Sequence, residues 1–284
     1  MRRSTTFAGT EASGVTDISR GPQRRRLGAV FGAQLICAVL LVGVPATLPA
    51  GPAVAAPRTA QAEQTPAPSA VTTPDGRTAQ LIDLGAPGGA DLLGRIGAEF
   101  PAAAAAVTGF WGERWPAQVL IAVAGSPEQF ATLAGGTADV AATTTADRIM
   151  FAPAAAAMDP DDLRIVLRHE LFHYAARADT AADAPVWLTE GVADYVARPL
   201  TEPPPAGTGE LPTNAALATA GPDRSAAYDQ AWSFARYVAD TYGPQRLLEL
   251  YRQACRPGHP DVATAIRGAL GVDLPSLLTG WRTR

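Results

Sequence analysis

The chain has 284 residues, of which 47% are hydrophobic, so it is long and apolar enough to form a folded core of one or two domains. It contains no lysine, and beyond residue 55 its 17 arginines are outnumbered by 25 aspartates and glutamates. This negative balance argues against a nucleic-acid partner. Two cysteines, Cys37 and Cys255, are too few for a disulfide framework, and we expect Cys255 to be a small buried side chain.

Residues 1–55 have the layout of an export signal. Three arginines, Arg24–Arg26, precede an apolar run at residues 27–44, and the small-x-small sequence Ala53-Val54-Ala55 follows. This order predicts a secretory signal peptide that is cleaved after Ala55. An apolar run of this length is also near the lower limit for a membrane-spanning helix, so an uncleaved N-terminal membrane anchor is the alternative. Either reading predicts a secreted or extracytoplasmic protein.

Residues 56–75 are rich in Pro, Ala, Thr and Gln, which predicts a flexible linker before a single folded domain at residues 76–284. The first half of that domain contains alternating apolar stretches typical of short strands. It also contains helical signals, including the N-cap sequence Ser126-Pro127-Glu128. We predict strands at 77–84 and 118–124, helices at 90–110 and from 127, and a hairpin formed by 140–145 and 148–151.

An H-E-x-x-H motif follows this hairpin. Asp159 and Pro160 have the residue types of a helix N-cap and first helical position, and nothing between residues 163 and 178 would break the helix. His169 and His173 are one turn apart, so both rings can bind one metal ion, while Glu170 is beside the metal in the position of a general base. The alternative is a surface helix on which two histidines are incidental.

A catalytic zinc requires a third protein ligand, and Glu190 is the leading candidate. It lies on the next predicted helix, at 185–197, beside Gly191, which permits close helix packing. Asp194 is one turn further on, where its carboxylate can accept a hydrogen bond from the far nitrogen of a ligand histidine. The alternative reading makes both acids solvated carboxylates on a helix surface.

The remaining residues predict a mainly helical C-terminal half. We expect a surface loop at 199–222, followed by helices at 225–242, 244–255, 262–270 and 275–281. The predicted fold class is therefore α+β, with a small N-terminal mixed β-sheet and helices followed by a mainly helical half that carries the metal-binding helix.

The sequence V-L-R-H-E-L-F-H-Y-A at 166–175, followed by P-V-W-L-T-E-G-V-A-D-Y at 185–195, resembles the gluzincin metallopeptidases, and specifically the short bacterial peptidase MA-like proteins. The similarity extends through A-Y-D-Q-A-W at 227–232 and is strong over about the last 130 residues. This resemblance implies a zincin-like fold in which Zn²⁺ is bound by three ligands: His169, His173 and Glu190. It also implies that Glu170 is the base and that the partner is a peptide or protein substrate.

The expected reaction is metal-assisted hydrolysis of an amide bond by a monomeric enzyme. Zinc polarises the scissile carbonyl and acidifies a water molecule, and Glu170 takes the proton and passes it to the leaving amine. The resemblance places a tyrosine near Tyr228, which makes that residue a candidate donor to the oxyanion. Packing of Tyr228 on the core at the start of a helix is the alternative.

Two other functions are compatible with the same motif. One is a catalytically silent extracellular binding domain in which zinc only stabilises the fold, and the other is a zinc amidohydrolase with a non-peptide substrate. A structural zinc site normally has four protein ligands, and the sequence offers no fourth His or Cys near the motif. The intact Glu170 also favours a catalytic site.

Overall fold

The computed structural model describes residues 69–137 and 139–284. The predicted signal peptide or anchor at 1–55 and residues 56–68 of the linker predicted at 56–75 lie outside the described residues. No helix among those described is both long and apolar enough to cross a membrane.

Five strands form one mixed sheet in the order β1-β2-β3-β5-β4. The central three strands are parallel to one another, and the strands at the two edges are antiparallel to their neighbours. The strands predicted at 77–84 and 118–124 and the predicted hairpin are confirmed. The bounds are β1 Ser69–Thr72, β2 Thr78–Asp83, β3 Gln118–Val123, β4 Ala142–Thr144 and β5 Ile149–Phe151.

The first strand corrects the predicted linker. The segment Ser69–Thr72 was expected to be flexible, but it pairs with β2 along its whole length. Val71 is its one large apolar side chain and packs against the core, while the Thr72 and Thr78 hydroxyl groups lie 3.0 Å apart. An edge strand that is exposed on one face needs little apolar surface. The polar residues of this segment therefore did not indicate a strand in the sequence.

Nine α-helices are present in the described residues, and a 3₁₀-helix at Pro153–Ala157 leads into the motif helix. The predicted surface loop at 199–222 is wrong in part, because Thr213 caps a short helix whose Leu217 is buried. The helices are α1 Gly89–Trp111, α2 Pro127–Ala134, α3 Pro160–Ala176, α4 Val186–Ala197, α5 Asn214–Ala218, α6 Pro222–Tyr242, α7 Pro244–Cys255, α8 Val262–Leu270 and α9 Leu274–Arg282.

The two faces of the sheet are covered by different helices. Ile121 of β3 belongs to the main hydrophobic core, which also contains α1, α3, α4 and α6. Its neighbour Ala122 belongs to a smaller cluster with Phe130 of α2. This alternation follows from the two-residue period of a strand. A small mixed sheet followed by a mostly helical remainder agrees with the predicted α+β class. Cys255 is fully buried as expected, and burial raises the pKa of its thiol.

Helix α3 lies at the centre of the domain, where α1, α4 and β4 pack against it. Every residue from His169 to Ala176 is buried. Helix α4 in turn packs on α6, and the two backbones approach closely at Gly191. A Cβ atom at Gly191 would lie 2.4 Å from the backbone oxygen of Ala231, so only glycine fits at this contact.

We expect Gly191→Ala to destabilise the protein by about 1–3 kcal/mol, because the added methyl group must push α4 away from α6. Gly94→Ala is the matched control, since Gly94 is an exposed helical glycine with no atom within 4 Å of an added Cβ. It should be neutral or stabilising by up to about 1 kcal/mol. Denaturant unfolding measures the free energy of unfolding of both variants. Equal changes in this free energy would contradict the close contact of α4 and α6 at Gly191.

Candidate metal centre

Helix α3 begins as the sequence predicts and carries the two histidines. The Asp159 carboxylate accepts a hydrogen bond from the backbone N–H of Asp162 at 2.8 Å, and Pro160 takes the first helical position. His169 and His173 follow on the buried part of this helix, and their ring centroids are 4.8 Å apart. The helical spacing therefore brings the two rings together on one face.

Glu190 projects from α4 toward both rings. Its Oε2 atom is 3.2 Å from His169 Nε2 and 3.5 Å from His173 Nε2, and the two Nε2 atoms are 3.0 Å apart. Four ligands at about 2.0–2.2 Å around a tetrahedral zinc lie roughly 3.3–3.6 Å from one another. The donor atoms here are 3.0–3.5 Å apart, so small side-chain movements would bring all three to these separations. Both the imidazole and the carboxylate donors suit zinc. The structure thus places Glu190 beside both histidines, and its role as the third metal ligand stays a prediction.

Asp194 holds the opposite side of the His169 ring. Its Oδ1 atom is 2.7 Å from His169 Nδ1, and because an ionised carboxylate can only accept, Nδ1 must carry the proton. This leaves Nε2 of His169 for the metal. The other oxygen, Oδ2, accepts from Arg198 at 2.7 Å, and Arg198 also donates to Asp229 at 2.9 Å. Glu190 and Asp194 are 2% and 4% exposed, which excludes the surface-helix reading for both acids.

Glu170 is 1% exposed, and its carboxylate contacts a residue of the sheet. The hydroxyl of Thr144, on the edge strand β4, lies 2.6 Å from Glu170 Oε2 and 2.9 Å from the Glu170 backbone oxygen. Sequence analysis did not identify Thr144, which is 26 residues before Glu170 and is brought to it only by the packing of β4 on α3. Arg198 and Asp229 were also missed, although the four-residue spacing from Asp194 to Arg198 is a recognisable helical ion-pair signal.

The charges of these groups compensate one another in the metal-free protein. Burial would lower the pKa of His169, but the hydrogen bonds and charges of Asp194 and Glu190 outweigh it and raise that pKa to about 10. Burial likewise opposes ionisation of Glu190, yet the charge of His173 and a hydrogen bond from His169 lower its pKa to about 2. The pKa of Asp194 is lowered despite burial, first by the charge of Arg198.

The pKa of Glu170 shifts in the opposite direction from those of Glu190 and Asp194. Burial raises its pKa, and the positive charges of the histidines and the hydrogen bond from Thr144 offset this only in part. The carboxyl group that is expected to act as the base is therefore the one that holds a proton most readily in the metal-free protein.

Tyr228, the predicted oxyanion donor, lies in the second turn of α6. Its side chain is 5% exposed and belongs to the main hydrophobic core. This burial agrees with the alternative of a core aromatic residue, and its role as a donor stays a prediction.

Comparison of the chain with models of known protein families finds no match, and neither does a search among curated proteins. The chemical interpretation of this centre therefore depends on its own residues and geometry.

Zinc affinity should depend on the Asp194 carboxylate. We expect Asp194→Asn to weaken zinc binding roughly 10-fold. This is the lower end of the loss usually seen when the carboxylate that orients a ligand histidine is removed. Asp240→Asn is the control, because Asp240 is ion-paired on α6 with Arg236 and Arg284 rather than with a histidine. Competition with a chromogenic chelator measures both affinities. Equal losses in the two variants would show that Asp194 acts only as a general ion-pair partner.

Zinc affinity should also rise with pH. Because the pKa of His169 is raised to about 10 in the metal-free protein, the ring is protonated at neutral pH and must release that proton to bind zinc. Affinity should therefore increase at least about tenfold per pH unit between roughly pH 6.5 and 8.5, and more steeply where zinc binding also displaces a proton from Glu170. Asp194→Asn removes one cause of the raised pKa of His169, so the zinc affinity of this variant should change less with pH than that of the wild type. A flat wild-type profile in chelator-buffered zinc would contradict the assigned protonation.

Proposed function

We propose that the chain is a zinc-dependent metallopeptidase of the gluzincin type, with a zincin-like fold, which is exported and hydrolyses peptide bonds outside the cytoplasm. The observation that carries the proposal is the convergence of His169, His173 and Glu190 on one point, with the carboxylate of Glu170 on the next residue of the same helix. In the part of the chain that the structure describes, this cluster has three members, which suits a catalytic zinc with an open coordination position.

Bound zinc would supply Lewis acidity and an acidified water molecule. His169, His173 and Glu190 would hold the ion, and Asp194 would keep the His169 ring in the required tautomer. Glu170 would accept the proton of the attacking water and deliver it to the nitrogen of the leaving amine as the C–N bond breaks. The proton is conserved across these two transfers, so Glu170 returns to its ionised form after each cycle.

The choice of a peptide over a compact amide as substrate rests on the resemblance of residues 166–175 and 185–195 to the gluzincin metallopeptidases. Strand β4 is the outermost strand of the described sheet, and it contacts Glu170 through Thr144. All three of its residues are buried, so its contribution to the site is this contact.

The proposal assigns different roles to two glutamates, which glutamine substitutions can separate. Glu170→Gln keeps the shape but cannot accept a proton, so zinc content should be unchanged while hydrolysis falls by roughly two to four orders of magnitude. Glu190→Gln removes a charged ligand, so it should weaken zinc binding and recover part of its activity when zinc is added.

A mass-spectrometric digest of a mixed peptide library, run with metal analysis of each variant, provides the measurement. Glu202→Gln is a suitable control, because Glu202 lies in the loop after α4 and is absent from the metal cluster. If both active-site variants respond alike to added zinc, the division into base and ligand is wrong. If a zinc-loaded wild-type protein cleaves no peptide, the silent binding domain or the non-peptide amidohydrolase replaces the peptidase.

A further inference from the structure

Thr144 is the last residue of β4, and its contact with Glu170 connects the sheet to the metal-binding helix. Its hydroxyl group lies closer to Oε2 of the carboxylate, at 2.6 Å, than to the backbone oxygen of the same residue, at 2.9 Å. A hydroxyl has one proton to donate, so the carboxylate is the main acceptor. Both side chains are buried, which makes a hydrogen bond of this length strong and directional, and it is charge-assisted when Glu170 is ionised.

The preceding residue, Thr143, shows that this contact is specific to one position. Its side chain is also buried, but its hydroxyl has no hydrogen-bond partner among the described residues. Successive side chains of a strand point to opposite faces, so Thr143 points away from the face that meets α3. Of the two threonines on this short strand, only Thr144 therefore contacts Glu170.

We propose that Thr144 is a positioning residue for the general base, an inference that rests on the proposed peptidase function. By occupying Oε2, the Thr144 hydroxyl fixes the plane of the Glu170 carboxylate and leaves Oε1 to accept the proton of the attacking water. Without this hydrogen bond, the carboxylate could rotate about the last torsion of the glutamate side chain, because that torsion has only a weak preference for any one angle. Thr144 itself does not exchange a proton with the substrate.

Acetohydroxamate tests this role without a peptide substrate. It chelates zinc through two oxygen atoms, and a neighbouring carboxylate can accept its hydroxyl proton, so its binding should depend on an oriented Glu170. In the zinc-loaded full chain, we expect Thr144→Val to weaken acetohydroxamate binding at least about tenfold, the lower end of the effect of losing a hydrogen bond to a charged group. Thr144→Ser retains the hydroxyl and should restore most of the affinity. Thr143→Val, the matched control, should bind like the wild type.

A double-mutant cycle separates positioning from general damage to the fold. Once Glu170→Gln has removed the carboxylate, Thr144→Val should cause no further loss of acetohydroxamate binding. The zinc content of Thr144→Val should stay close to that of the wild type, while the lost buried hydrogen bond should lower its unfolding midpoint. Where a peptide is cleaved, Thr144→Val should lower kcat about tenfold or more with little change in KM.

The outcomes distinguish this proposal from the one it rests on. Three results would overturn the positioning role. They are acetohydroxamate binding by Thr144→Val that is as tight as that of the wild type, binding by Thr144→Ser that is as weak as that of Thr144→Val, and the same loss of affinity from Thr144→Val in the Glu170→Gln background. If the zinc protein binds acetohydroxamate in a Glu170-dependent manner but cleaves no peptide, the peptidase function fails while the cycle still decides the role of Thr144. A chain that binds no zinc would overturn both proposals.

Discussion

Pairing of buried ionisable groups is the constraint on which the rest of this structure depends. His169, Glu170, Glu190 and Asp194 are each at most 4% exposed, and an unpaired charge at such a depth would cost several kcal/mol. Each therefore needs a partner. Some partners lie within the cluster itself, while Glu170 is bound by Thr144 from β4 and Asp194 by Arg198 at the end of α4. Asp229 of α6 pairs with Arg198 in turn. The polar network thereby fixes how the sheet and the helices meet around α3.

The apolar packing serves the same arrangement. Glu190 can approach both histidines only if α4 lies close to α3, and Gly191 allows α6 to press against α4 from the other side. Phe172 lies between His169 and His173 in the sequence of α3. Its ring contacts those of Trp111 and Tyr251 edge-on, which holds α3 against α1 and α7. The candidate metal ligands are thus carried by packed helices, as a site with demanding geometry requires.

The sequence predicts those features that local physics determines. The helix caps at Asp159 and Ser126, the one-turn spacing of His169 and His173, and the strand β3 are all confirmed. The edge strand β1 and the short helix α5 were missed, because each buries only one large apolar side chain. Thr144 could not have been found, since a lone threonine in a strand carries no signal of what packs against it. Asp229 was beyond reach for the same reason, as it meets Arg198 only through tertiary packing.

The protonation pattern connects metal binding to the state of Glu170. Without a metal, one proton on His169 serves as the cation between Glu190 and Asp194, and burial keeps the pKa of Glu170 raised. A divalent ion in place of that proton adds one positive charge beside Glu170, and a nearby positive charge favours the ionised form of a carboxylate. Metal binding would therefore convert Glu170 from a proton holder into a base. The same ion that activates water would also prepare its proton acceptor, while the hydrogen bond from Thr144 keeps that acceptor in place.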